Sequence, residues 1–172
     1  MPDPHDTLSI FAEIAIALAG FSGIVIAFGR RAIGSLSVLE IRRLSNLFTL
    51  SGVVLTFSLV GVSLLHVSDI DPNRFWSGFS GAVFLVAAPW LLRDVVKVSR
   101  LEKAEKAQVN MLLLVFFNTL AVVVVILLQL YNWILLREPW PFFLALALIT
   151  AGAFQQFILL VRMGIQESRS KL

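Results

Sequence analysis

The chain contains no cysteine. Disulfides, thiolate nucleophiles and cysteine-held metals are therefore excluded, and cysteine usage carries no information on the redox compartment. Histidine is nearly as scarce. His5 and His66 are the only two, too few by count to build a histidine-based metal site. Charged residues make up only 15% of the chain, against about one-quarter in soluble domains. The acids Glu40, Asp94, Glu102, Glu105 and Glu167 fall at no metal-ligand or acid–base spacing. On these grounds the chain reads as non-enzymatic, with no catalytic residue, cofactor or metal.

Apolar residues take the place of what is missing, at 58% of 172. A water-soluble fold of this length could not hide so much apolar surface, and little chain remains for a separate soluble domain. The expected fold class is all-α, an integral membrane helix bundle with residues 1–172 as a single transmembrane domain. A spanning helix needs about 20 mostly apolar residues. Five segments approach or reach that length, at about 8–28, 45–66, 75–92, 109–136 and 141–161. The third is the shortest and contains Pro89, so four crossings is the alternative count.

Local signals place the helix starts. Ser37 with Glu40 forms a capping box ahead of the second helix. Asp71 followed by Pro72 reads as an N-cap with proline at the first helical position. Pro139 and Pro141 demand a tight turn before the last span. The first segment lacks a basic leader and has a long apolar stretch, which reads as a retained helix rather than a cleaved signal.

Lys and Arg set the expected orientation. They collect in 29–44 (Arg30, Arg31, Arg42, Arg43), in 93–108 (Arg93, Lys97, Arg100, Lys103, Lys106) and in the tail (Arg162, Arg169, Lys171), whereas the other side has Arg74 and Arg137. Loops 29–44 and 93–108 are thus expected in the cytoplasm, with the amino terminus outside and the carboxyl terminus inside. The net charge of +3 is dispersed among apolar spans and argues against nucleic acid as a partner. Trp76, Tyr131, Trp133 and Trp140 are expected as interfacial anchors on the outer side, and Trp90 on the inner.

Glu13 is the one Asp, Glu, Lys or Arg well inside any of the five spans. Helical periodicity aligns Ala17, Gly20, Ile24 and Arg31 with it. Copies of this stripe around a symmetry axis would form a narrow path for ions or protons with a carboxylate ring at its outer mouth. The competing reading is structural, with Glu13 hydrogen-bonded inside one subunit and His66, at a similar outer depth, as its partner. A second series on the same helix, Ala15, Ala19, Gly23 and Ala27, recurs every four residues and predicts close helix packing. The tetrapeptide GFSG occurs twice, at 20–23 and 78–81, and in neither copy has the GxSxG spacing of a hydrolase nucleophile. Asn46, Thr49, Asn118, Thr119, Gln155 and Gln156 read as interhelical hydrogen-bonding residues.

The first span, with Ala12-Glu13 followed by Ala17-Leu18-Ala19-Gly20-Phe21-Ser22-Gly23, resembles small uncharacterised bacterial multi-spanning membrane proteins. The resemblance covers that span alone and implies no activity. It implies a multi-pass protein of the bacterial inner membrane. Two functions are expected from these observations: an oligomer that lines an ion or proton path at Glu13, or an accessory or assembly subunit of a larger membrane complex. The partners are accordingly the lipid bilayer together with further copies or another membrane protein.

Overall fold

The computed structural model describes residues 3–28, 38–66, 71–99 and 109–170, with side chains described for 3–24, 40–66, 71–89, 93 and 120–162. These residues form five α-helices: α1 (Pro4–Phe28), α2 (Val38–Leu65), α3 (Pro72–Ser99), α4 (Val109–Tyr131) and α5 (Pro139–Ser170). A π-helical turn, Asn132–Leu136, follows α4 directly, and no strand occurs among the described residues. Three helical stretches, Pro4–Ile24, Glu40–Leu65 and Pro139–Arg162, are long and apolar enough to cross a membrane. They bury only 28%, 28% and 17% of their most apolar windows. Most of their apolar surface is therefore left for some other apolar environment to cover.

Two of the helices begin with the same device. Asp3 precedes Pro4, and its carboxylate accepts the His5 backbone N–H at 3.0 Å. Asp71 precedes Pro72, and its carboxylate accepts the Asn73 N–H at 3.0 Å. Proline lacks the N–H that would be orphaned in a first turn, while the aspartate satisfies one that remains. The Asp71 start is the one the sequence signals; the Asp3 start follows the same logic. Ser37 of the capping box lies outside the described residues, whereas its companion Glu40 is buried in the first turn of α2.

The chain divides into two compact units, residues Met1–Ser68 with Ile149–Leu172, and Asp69–Leu148. In the first, α1 and α2 form an antiparallel hairpin. The ring of His5, at the start of α1, lies 5.1 Å from that of His66, just past the end of α2. The buried positions of α1 are Leu8, Ala12, Ala15, Leu18 and Ser22, and those of α2 beyond Glu40 are Leu47, Ser51, Val54, Ser58 and Gly61, among the described side chains. Steps of three and four residues, fourteen residues over four steps on each helix, give the 3.5-residue repeat of left-handed helix pairing. Most of these side chains are small, which lets the two backbones approach closely. Within the same unit, Gly152 of α5 faces Leu50, whose Cδ1 would lie 3.6 Å from an added Cβ.

The second unit packs α3 against α4, the π-helical turn and the start of α5. Its core is aromatic: Phe75, Trp76, Phe79 and Phe142 are all buried. Phe79 and Phe142 meet at 5.3 Å and Trp76 contacts Phe143 at 5.3 Å. Trp76 is 6% exposed. The expectation that it anchors the outer interface is corrected here, because its ring fills the space between the first turns of α3 and α5. Tyr131, Trp133 and Trp140 are exposed, as an anchoring role requires.

Candidate functional site

Polar groups in the second unit explain how its tight turn is held. The π-helical turn ends at Arg137, which takes the left-handed conformation with φ 57° and donates its N–H to the Asn132 carbonyl at 3.0 Å. The fully buried Asn132 side chain grips the backbone of Glu138 from both sides. Its Oδ1 accepts the Glu138 N–H at 2.9 Å, and its Nδ2 donates to the Glu138 carbonyl at 2.9 Å. The same Nδ2 also donates to Ser80 Oγ at 2.6 Å, joining the turn to α3. Since Asn132 takes the Glu138 N–H, the Trp133 carbonyl loses its helical donor, and Ser77 Oγ supplies one at 2.8 Å. Gln129 Nε2 donates to the Pro141 carbonyl at 2.7 Å, fastening α4 to the first turn of α5. Apart from the bond between Asn132 and Ser80, which joins two side chains, every bond in this cluster holds backbone in place. It therefore reads as a structural clamp, not a substrate site.

The sequence reading did not single out Gln129 and Asn132. A signal was available, because each is an isolated amide in an apolar run within ten residues of a proline-marked turn. Buried amides in such a place almost always hydrogen-bond backbone.

The two GFSG copies have different surroundings. Phe21 is 56% exposed, whereas its counterpart Phe79 is buried. Ser22 donates to the Leu18 carbonyl of its own helix, whereas Ser80 accepts from Asn132. A Cβ on Gly23 would meet nothing within 4 Å, but one on Gly81 would stand 3.0 Å from the Trp133 indole. In the second copy, glycine is needed for the indole to lie against α3.

On α1, the described members of the Glu13 stripe lie together on one exposed face: Glu13, Ala17, Gly20 and Ile24 are all exposed. The buried seam of Leu8, Ala12, Ala15 and Ser22 occupies a separate face. Arg31 lies outside the described residues. Glu13 makes no hydrogen bond or ion pair among the described residues, and a Cβ on Gly20 would meet nothing within 4 Å.

The structure does not bring Glu13 and His66 together. His66 stands beside His5, eight residues before Glu13 and therefore about 12 Å away along the helix axis. The Ala15 series also divides. Ala15 is buried and Ala19 half-buried, whereas Gly23 is exposed and the Ala27 side chain is outside the described set. A four-residue step on a 3.6-residue helix turns about 40° per step, so such a series winds out of the α2 seam onto the open face.

Of the remaining polar residues, Thr49 donates back to the Ser45 carbonyl at 2.8 Å, and Asn46, Gln155 and Gln156 are half-buried. No set of three or more His, Cys, Asp or Glu side chains among the described residues is placed to hold a metal ion. Compared with known protein families, curated proteins and solved structures, the chain matches none.

Proposed function

We propose that the chain is a multi-pass membrane protein whose copies associate through the open face of α1, so that Glu13 lines a path for protons or cations. The observation that carries this reading is the position of Glu13, on an exposed, small-residue face of a helix apolar and long enough to span. An ionisable side chain facing lipid at mid-span costs about 2.5–3.5 kcal/mol. Such residues therefore face protein or water. The carboxylate has neither a hydrogen bond nor an ion pair among the described residues of its own chain. A second copy brings another carboxylate and another run of small residues to the same face, which leaves a narrow hydrated gap with its negative charge at one level.

In this proposal all five helices cross the bilayer, α4 together with its π-helical turn, with the amino terminus outside and the carboxyl terminus in the cytoplasm of a bacterium. The basic residues of 29–44 and 93–108 then face the cytoplasm. The uncovered small-residue face of α1 around Gly20 and Gly23 also suits a different membrane protein as occupant, which is the accessory-subunit alternative.

Reconstitution of the full chain in liposomes separates the two. Proton and cation flux would be compared between wild type and Glu13→Gln, with oligomeric mass measured on the same sample. Flux that is lost in the variant at unchanged mass supports the path. A monomeric, flux-free wild type refutes it and points to the accessory role.

A further inference from the structure

The two histidines of the sequence lie far apart along the chain but meet in the fold, at the end of the α1–α2 hairpin opposite its connection. Their ring centroids are 5.1 Å apart, with the planes inclined at 72°. Each ring turns its Nδ1 toward a group of its own helix. His66 Nδ1 lies 2.9 Å from the Val62 carbonyl, and a carbonyl can only accept, so this nitrogen carries the proton and Nε2 holds a free lone pair. His5 Nδ1 faces the Asp6 carboxylate at 3.8 Å, beyond hydrogen-bond reach, so here the carboxylate contributes charge rather than a fixed proton position. His66 is held as metal-binding histidines are, with the distal nitrogen on a carbonyl of the protein.

The ring separation fits as well. With zinc–nitrogen bonds of about 2.0–2.1 Å and a tetrahedral angle, two imidazole centroids on one ion stand about 5.2 Å apart. The positive end of the α1 dipole lies beside His5, and two carboxylates and the end of α2 offset it. Asp3 and Asp6 flank His5, and the last carbonyls of α2 present the negative end of a helix dipole beside His66.

We propose that His5 and His66, too few to complete a coordination shell by themselves, form a two-histidine site for a first-row transition-metal ion of the zinc(II) type, with water in the remaining positions. The bound ion ties the first turn of α1 to the last turn of α2. The site is independent of the path at Glu13, which lies about 12 Å further along α1.

The test is calorimetric titration of the purified full chain in detergent with zinc chloride, for wild type, His5→Gln, His66→Gln and Asp6→Asn. One zinc per chain is expected, with binding lost in either histidine variant and weakened about tenfold in Asp6→Asn. Circular dichroism establishes that the variants remain helical. Zinc-edge X-ray absorption on the unaltered chain, which needs no variant, should show two imidazole nitrogens at about 2.0 Å. Full zinc affinity in His66→Gln, one zinc per two chains, or no binding by wild type would each overturn the proposal.

Discussion

Replacing Asn132 by alanine removes three hydrogen bonds at once: those to Ser80 Oγ, to the Glu138 carbonyl and from the Glu138 N–H. A protein hydrogen bond contributes about 1 kcal/mol net in water and about 0.6 kcal/mol on average between helices in a bilayer. The Glu138 peptide groups also lose their buried partner, so the expected loss is about 2–3 kcal/mol. Asn132→Asp should be no better. It keeps an acceptor for the Glu138 N–H but turns a second oxygen toward the Glu138 carbonyl, in a position with no solvent exposure. The assay is denaturant unfolding in mixed micelles, followed by tryptophan fluorescence, because Trp133 and Trp76 both sit in this unit. A cycle with Ser80→Ala isolates the bond between the two side chains and should give a coupling of about 0.5–1 kcal/mol. A loss below about 0.5 kcal/mol for Asn132→Ala, or strict additivity with Ser80→Ala, would show that the clamp has been misread.

Further substitutions probe other parts of the chain. Gly81→Ala places a Cβ 3.0 Å from the Trp133 indole and should destabilise by about 1–3 kcal/mol, with a shifted emission maximum if the indole moves. Gly23→Ala meets open space. It should leave the unfolding free energy of the monomer unchanged or raised by up to about 1 kcal/mol, while weakening self-association in analytical ultracentrifugation. Arg137→Gly relieves a left-handed non-glycine residue and should stabilise by up to about 1 kcal/mol, whereas Arg137→Val should destabilise; equal stabilities would argue against strain at that position. Ala15→Leu forces three more carbons into the α1–α2 seam and should cost about 1–3 kcal/mol in the same unfolding assay.

The helices were legible in the sequence because their causes are local. Apolar runs of spanning length, Asp71-Pro72, and Pro139 with Pro141 each act within a few residues, and the starts of α3 and α5 fall where those signals put them. What was not legible depends on which residues meet across distance. Trp76 has the composition of an interfacial anchor, and only the arrival of Phe142 and Phe143 from α5 makes it core. His66 carries no sequence mark that separates Glu13 from His5 as a neighbour; the hairpin register decides in favour of His5. The face of Glu13 was readable from the 3.6-residue period alone, whereas the four-residue alanine series misleads by its drift around the helix. Asn118, Thr119, Arg31 and the stretch 100–108 lie outside the described residues or their described side chains.

The α1–α2 seam also carries a constraint on how this chain can vary. Its buried positions are mostly alanine, serine, glycine and valine, with bulk confined to Leu8, Leu18 and Leu47. A leucine in place of any of the small residues would force the two backbones apart, so size alone limits what each position accepts. Changes that keep the hairpin closed should therefore come in compensated sets, a larger residue at one position of the seam with a smaller one at another.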